Sequence, residues 1–127
     1  MIIDSSVFIA SIDKNDENNK RAEALLPKAE KDRASTTDHV LEEVVTYLNR
    51  KAGSEIAHSA GSAILDSFEI IFFTEENLRE AIELLKKYKK LSLCDALSVV
   101  AAREMRDKSI CSFDSDFDFV EGIRRIY

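Results

Sequence analysis

Five carboxylates stand where a parallel sheet would present them to a ligand. Asp4 directly follows the apolar pair Ile2-Ile3, Asp114 follows an apolar run ending at Phe113, and Asp116 comes two residues later. Glu43 and Asp95 lie near the starts of two segments with apolar stripes. In open parallel sheets, ligands bind beyond the carboxyl ends of the strands, where strand order reverses. An oxygen-only set at that rim suits a hard cation such as Mg²⁺ or Mn²⁺ better than Zn²⁺. The chemistry such an ion would supply is activation of a bound water.

Taken singly, each acid has a simpler role. An Asp after a strand is commonly a turn former or an N-cap, Asp95 is the fourth residue of a Ser92-Leu93-Cys94-Asp95 capping box, and Glu43 fits a solvated helix face. The run Asp114-Ser115-Asp116-Phe117-Asp118 starts like a calcium loop, but Phe119 stands where that loop needs Gly and Arg125 where it needs Glu, leaving a solvated acidic turn. Their joint placement argues for a site, because clustered carboxylates repel one another unless a cation neutralises them.

The elements that must position these acids follow from pattern. Ile2-Ile3 reads as a short buried strand running through Asp4-Ser5-Ser6 into a helical turn at Val7-Phe8-Ile9-Ala10. The spacing predicts an amphipathic helix over Asp16 to Leu26 with Pro27 near its end, and a weak strand around Arg33 to Thr36. Thr37 or Asp38 caps a helix striped by Val40, Leu41, Val44, Val45 and Leu48, with Gly53 as its stop, and Ser54 to Leu65 forms a less hydrophobic helix. Phe68 to Phe73 reads as a buried strand; Thr74 then caps a helix with Glu75 and Glu76 first and lysines last, as the helix dipole favours. The segment opened by Ser92 is apolar on more than one side, and Ser109 to Phe113 and Ile123 to Tyr127 are the last strand candidates. Strands alternating with helices predict a three-layer α/β/α sandwich around a mostly parallel sheet of four to five strands, in one domain spanning 1–127.

Composition narrows the function classes. The chain has 127 residues, 45% apolar and 33% charged, with 3 Gly and 1 Pro, so disordered and low-complexity classes are disfavoured. Gly53, Gly61 and Gly122 fit no phosphate-cradling glycine motif. Cys94 and Cys111 form no CxxC pair, and His39 and His58 are too few and too scattered for a zinc site. With neither a basic leader nor a long apolar stretch, the expectation is a cytoplasmic protein with reduced cysteines and no membrane span. A net charge of −6 argues against a non-specific nucleic-acid coat but not against a nuclease, whose clustered carboxylates make a chain acidic.

Over essentially its whole length the sequence resembles the PIN-domain ribonucleases and, within them, the VapC-like toxins of toxin–antitoxin pairs. The resemblance rests on Ile2-Ile3-Asp4-Ser5-Ser6, Val40-Leu41-Glu42-Glu43-Val44-Val45 with Leu48, Leu91-Ser92-Leu93-Cys94-Asp95-Ala96, and Cys111-Ser112-Phe113-Asp114-Ser115-Asp116-Phe117, in that order. It implies a catalytic quartet of Asp4, Glu43, Asp95 and Asp114, with Asp116 as an auxiliary acid and Ser6 and Ser112 as hydroxyls that orient carboxylates or water. Glu42 is the fallback for Glu43, and Ser112 replaces a more usual Thr. The resemblance further implies Mg²⁺ or Mn²⁺ held by Asp4, Asp95 and Asp114, an RNA substrate, an antitoxin with a basic segment, and a homodimer. Candidate RNA-holding cations are Arg50 and Lys51, the Lys86 to Lys90 cluster, and Arg103, Arg106 and Lys108, each of which also fits a solvated helix end.

Two other readings compete. A phosphatase-like α/β enzyme would use Asp4 as nucleophile, but Ser6 stands where its second Asp belongs. A PIN-like binding module without turnover has no use for four mutually repelling acids.

Overall fold

The computed structural model describes residues 1–127. In chain order the elements are β1 (Ile2–Ile3), α1 (Ser5–Ile12), α2 (Asn19–Lys31), β2 (Ser35–Thr37), α3 (Asp38–Lys51), α4 (Ser54–Ser67), β3 (Glu69–Ile71), α5 (Glu75–Lys87), α6 (Leu93–Glu104), β4 (Ser109–Cys111), a 3-10 turn (Ser115–Phe119) and β5 (Arg124–Ile126). The five strands lie in the order β3-β2-β1-β4-β5, and every pair is parallel. The predicted α/β/α sandwich is therefore present, with five strands.

Because side chains alternate across a strand, neighbouring residues enter different layers. Ile3 and Cys111 pack on one face with Phe8, Ala22, Val40, Val44 and Ile64 of α1 to α4. Ile2 and Ile110 pack on the other with Val99, Ala101 and Ala102 of α6, where α5 adds Leu84 and Leu85. Residues 96–102 of α6 are all buried, as its all-round apolar character predicts. On the other side α4 lies so close to α3 that a Cβ on Gly61 would come within 2.9 Å of Val45 Cγ2.

Two expectations shift. The helix placed at Asp16 to Leu26 runs over Asn19–Lys31 and continues through Pro27. Pro27 removes a hydrogen bond only to the solvent-exposed turn at Glu23, while buried Ala29 anchors the following turn. The strand at Phe68 to Phe73 shrinks to Glu69–Ile71 and is half-exposed rather than buried, with Phe72 74% exposed, because β3 is the margin of the sheet. Gly53 lies just past the end of α3, at φ +94°, and serves also as the N-cap of α4.

The order of connection fixes where a ligand can enter. From β1 the chain moves outward through β2 to β3, then returns to the opposite side of β1 for β4 and β5. Strand order therefore reverses between β1 and β4, and the crevice beyond their carboxyl ends is the natural ligand position.

Candidate active site

Asp4 sits at that crevice because it is both the residue after β1 and the N-cap of α1, its side chain accepting from the Ser6 amide at 3.3 Å. It is 3% exposed. The Ser6 hydroxyl donates to Asp4 Oδ2 at 2.6 Å and the Ser112 hydroxyl, from beyond β4, donates to the same oxygen at 2.7 Å. All three of these bonds converge on Oδ2, and Oδ1 receives no bond of comparable geometry. Burial pushes the Asp4 carboxyl above the usual carboxylate range, outweighing the pull of Ser6, Ser112 and the Ser6 and Ser5 amides.

The serine pair is also the hinge of the β4 loop. The Ser6 hydroxyl accepts the Phe113 amide at 3.1 Å, and the Ser112 hydroxyl accepts the Asp114 amide at 3.0 Å. Asp114 then caps the 3-10 turn by accepting the Asp116 amide at 2.8 Å, leaving its carboxylate at the exposed rim. Ser6 grips Asp4 through both its hydroxyl and its amide, and the Ser112 hydroxyl joins Asp4 to the Asp114 backbone.

Asp95 approaches from α6. Its capping box is real, with Ser92 N–H donating to Asp95 Oδ2 at 2.7 Å and the Asp95 amide donating to Ser92 Oγ at 3.1 Å. The capping carboxylate also lies near enough to Asp4 and Asp114 for their negative charges to act on it. Burial is the larger cause that raises the Asp95 carboxyl, with the bonds from Ser92 opposing it.

Glu43 lies exposed on α3 and reaches the Cys94 thiol. Burial lifts that thiol far above its ordinary value, and Glu43, then Asp4 and Asp95, lift it further, so Cys94 is a neutral S–H among three acids. Sequence reasoning gave Cys94 no part; its place beside Asp95 in the first turn of α6 was the available signal. Glu42 lines the same groove as Glu43 but exerts no comparable influence on Cys94.

A second unforeseen residue is Arg125, which entered the sequence reading only as a mismatch to a calcium loop. Its guanidinium forks onto Asp118 with two bonds of 2.8 Å, donates to the Ser112 carbonyl at 3.3 Å and stacks 3.8 Å from the centre of the Tyr127 ring. The Ser112 amide in turn donates to the Ile126 carbonyl. Strand β5 thereby clamps the loop that carries Ser112 and Asp114.

No Lys, Arg or His side chain pairs with Asp4, Glu43, Asp95 or Asp114. Asp116 differs, its carboxylate lying 3.3 Å from Lys90. No three acid, thiol or imidazole groups close into a ready-made metal cage. Unscreened carboxylates hold each other apart, and Mg²⁺ keeps several waters and needs only one or two protein carboxylates beside substrate phosphate. On chemistry the donor set fits such an ion: oxygen-only, with no cationic side chain in ion-pair contact, and with one Asp4 oxygen free of strong donors.

The candidate RNA-holding cations divide. Lys86 pairs with Glu83, Lys87 with Glu121 and Arg103 with Glu80, whereas Arg50 and Lys51 pair with nothing. Lys108 directly precedes β4, at the end of the sheet away from Asp4.

The doubly wound parallel sheet with acids at its crevice defines an α/β domain, and the chain belongs to the PIN domain family, whose model matches residues 1–123. Among solved structures it is similar to VapC20 of Mycobacterium tuberculosis, described as a sarcin–ricin-loop-cleaving toxin, with 26% identity, a TM-score of 0.83 and 92% of each chain covered. A toxin–antitoxin complex from Klebsiella pneumoniae shares the fold at 19% identity and a TM-score of 0.67, covering 97% of this chain and 94% of that one. VapBC2 of Rickettsia felis, bound to a DNA fragment of its promoter, shares it at 14% identity and a TM-score of 0.72, covering 99% and 98%. No curated protein is significantly similar to the chain. No helix is long and apolar enough to cross a membrane.

Proposed function

We propose that the chain is a metal-dependent endoribonuclease of the VapC-like kind, a single PIN-like domain that hydrolyses RNA phosphodiester bonds. The observation that carries this reading is the absence of any cationic side chain paired with Asp4, Glu43, Asp95 or Asp114, although Asp4 is 3% exposed and Asp95 feels the charges of Asp4 and Asp114. Buried charge without a partner is destabilising by several kcal/mol, roughly, and persists where a ligand compensates it. Asp4, Asp95 and Asp114 would hold Mg²⁺ or Mn²⁺, with Glu43 direct or through water. When bound, such an ion supplies water activation at neutral pH and neutralises the charge that develops on the phosphodiester.

The chain's own residues do the positioning. Ser6 and Ser112 fix the Asp4 carboxylate through Oδ2, leaving Oδ1 toward other ligands. Ser92 fixes Asp95, and the neutral Cys94 thiol lies against Glu43 without competing as a thiolate. No nucleophilic side chain is required, and the resemblance to the PIN-domain ribonucleases implies products with 5′-phosphate and 3′-hydroxyl ends. The similarity to VapC20 supports RNA as the substrate class. The two toxin–antitoxin complexes support an antitoxin partner, whose basic segment would neutralise the acidic rim in place of substrate and ion; a cytoplasmic homodimer completes the reading.

Purified protein incubated with single-stranded and structured RNA should cleave in Mg²⁺ or Mn²⁺ and not in EDTA. Cleavage that persists in EDTA rejects the mechanism. Release of phosphate from a small phosphomonoester with RNA untouched would make the protein a phosphatase, and partner binding without either activity would make it a scaffold.

A further inference from the structure

The groove that opens from Glu43 along α3 has a chemistry of its own. It encloses about 560 Å³ and is lined on one side by Glu43, Tyr47, Arg50 and Lys51, and on the other by Ser92 and Cys94 at the start of α6. The α3 residues recur at intervals of four, seven and eight from Glu43, which puts them on one helix face. From Glu43 to Lys51 that face extends about 12 Å at ~1.5 Å per residue. This is room for about three stacked nucleotides at ~3.4 Å each.

The groove is electrostatically graded. At one end Glu42 and Glu43 repel phosphate unless a cation intervenes; at the other Arg50 and Lys51 are exposed and unpaired, unlike Lys86, Lys87 and Lys90, whose partners are Glu83, Glu121 and Asp116. Between them Tyr47 is 38% exposed, an aromatic face with no aromatic or cationic side chain stacked on it. Unpaired cations beside an open aromatic face match the two parts of a single-stranded nucleic acid, phosphate and base. A duplex keeps its base faces stacked internally and offers Tyr47 nothing.

We infer that this groove is a subsite for unpaired RNA, with Tyr47 as the stacking platform for one base and Arg50 and Lys51 holding the neighbouring phosphates, so that the strand is led toward Glu43 from the basic end. The inference rests on the ribonuclease reading and adds to it the residues along α3 that would hold the unpaired strand. The bland role for Arg50 and Lys51, favourable charge at the end of a helix, leaves the exposed Tyr47 and the groove unexplained.

The test separates binding from cleavage. Full-length protein carrying Asp95→Asn, which removes one repelling charge and blocks turnover, is titrated in EDTA against a fluorescein-labelled single-stranded RNA and a hairpin of equal length, at several salt concentrations. The single strand should bind more tightly than the hairpin. Adding Arg50→Ala and Lys51→Ala should make the slope of log affinity against log salt shallower by about 1.4, at ~0.7 per phosphate contact. Tyr47→Ala should weaken binding about tenfold with little change in slope, and Tyr47→Phe should restore it. Lys28→Ala, beside Ala34 and Met1 at the other end of the strands, should change neither. An unchanged slope in the double variant, equal binding of hairpin and single strand, no binding at all, or an indifferent Tyr47→Ala overturns the subsite and makes a protein its better occupant. Those results leave cleavage by the unmodified protein in Mg²⁺ intact. Failure of that cleavage, with groove binding as expected, overturns the ribonuclease reading instead.

Discussion

Replacing Asp4 by Asn should stabilise the protein while destroying its activity. The carboxylate is almost fully buried, near other negative charge and without a cation, and its burial outweighs the hydrogen bonds that favour the ionised form. Asn is nearly isosteric and a good N-cap, and its carbonyl oxygen can take the place of Oδ2 to accept from Ser6 and Ser112. Its amide then occupies the position of Oδ1, where a cation would bind. The expected gain at neutral pH is about 1 kcal/mol, or ~3–5 °C in Tm for a chain of this size. The sign with pH follows from the raised carboxyl. Between the unfolded value of 3.8 and the higher folded value, the native state holds more protons than the unfolded one, so the unmodified protein loses stability as pH rises through that window. The advantage of the variant should therefore be full above the folded value and shrink toward zero as pH falls below 3.8. Differential scanning calorimetry from pH 3 to 8, in EDTA, reads the difference, and RNA cleavage in Mn²⁺ should fall by about 100-fold or more. A variant less stable at neutral pH, or an advantage that grows on acidification, would refute the picture of an uncompensated buried charge.

Asp95→Asn should retain the cap to Ser92 and the Tm but lose cleavage, whereas Asp95→Ala should lose cleavage and, with the capping box gone, about 1 kcal/mol in urea unfolding. Ser112→Ala leaves Asp4 Oδ2 and the Asp114 amide each short of a partner, so stability should drop by ~1–3 kcal/mol and cleavage by about 10–100-fold, measured side by side. Ser98→Ala should raise Tm without touching activity, because the Ser98 hydroxyl is fully buried in α6 with no hydrogen-bond partner; its removal is worth about 1 kcal/mol.

Where a local rule decides the outcome, the sequence is a good guide. Thr37, Thr74 and Ser92 begin their helices as their side chains require, and the alternation of Ile2 and Ile3 correctly sends them to opposite layers. The misreadings come from tertiary context. Pro27 looks like a terminator until Ala29 is seen buried beyond it, and Phe68 to Phe73 looks interior until β3 proves to be a margin. At the site, the acids are visible as residue types after strands and at helix starts, while Ser6 and Ser112 stand out only through the resemblance to the PIN-domain ribonucleases. The neutral thiol of Cys94 and the clamp made by Arg125 are not, because each depends on neighbours brought together only by folding: Glu43 on a different helix, Asp118 and Tyr127 on either side of a turn.

The bond between Ser112 and Asp4 joins residues 108 positions apart, and the Asp4 amide itself leans on the Cys111 carbonyl. Until β4 docks beside β1, Asp4 has the Ser6 hydroxyl from its own helix and lacks the second one, from Ser112. The full set of bonds around Asp4 is thus a product of long-range docking and not of its own stretch of chain.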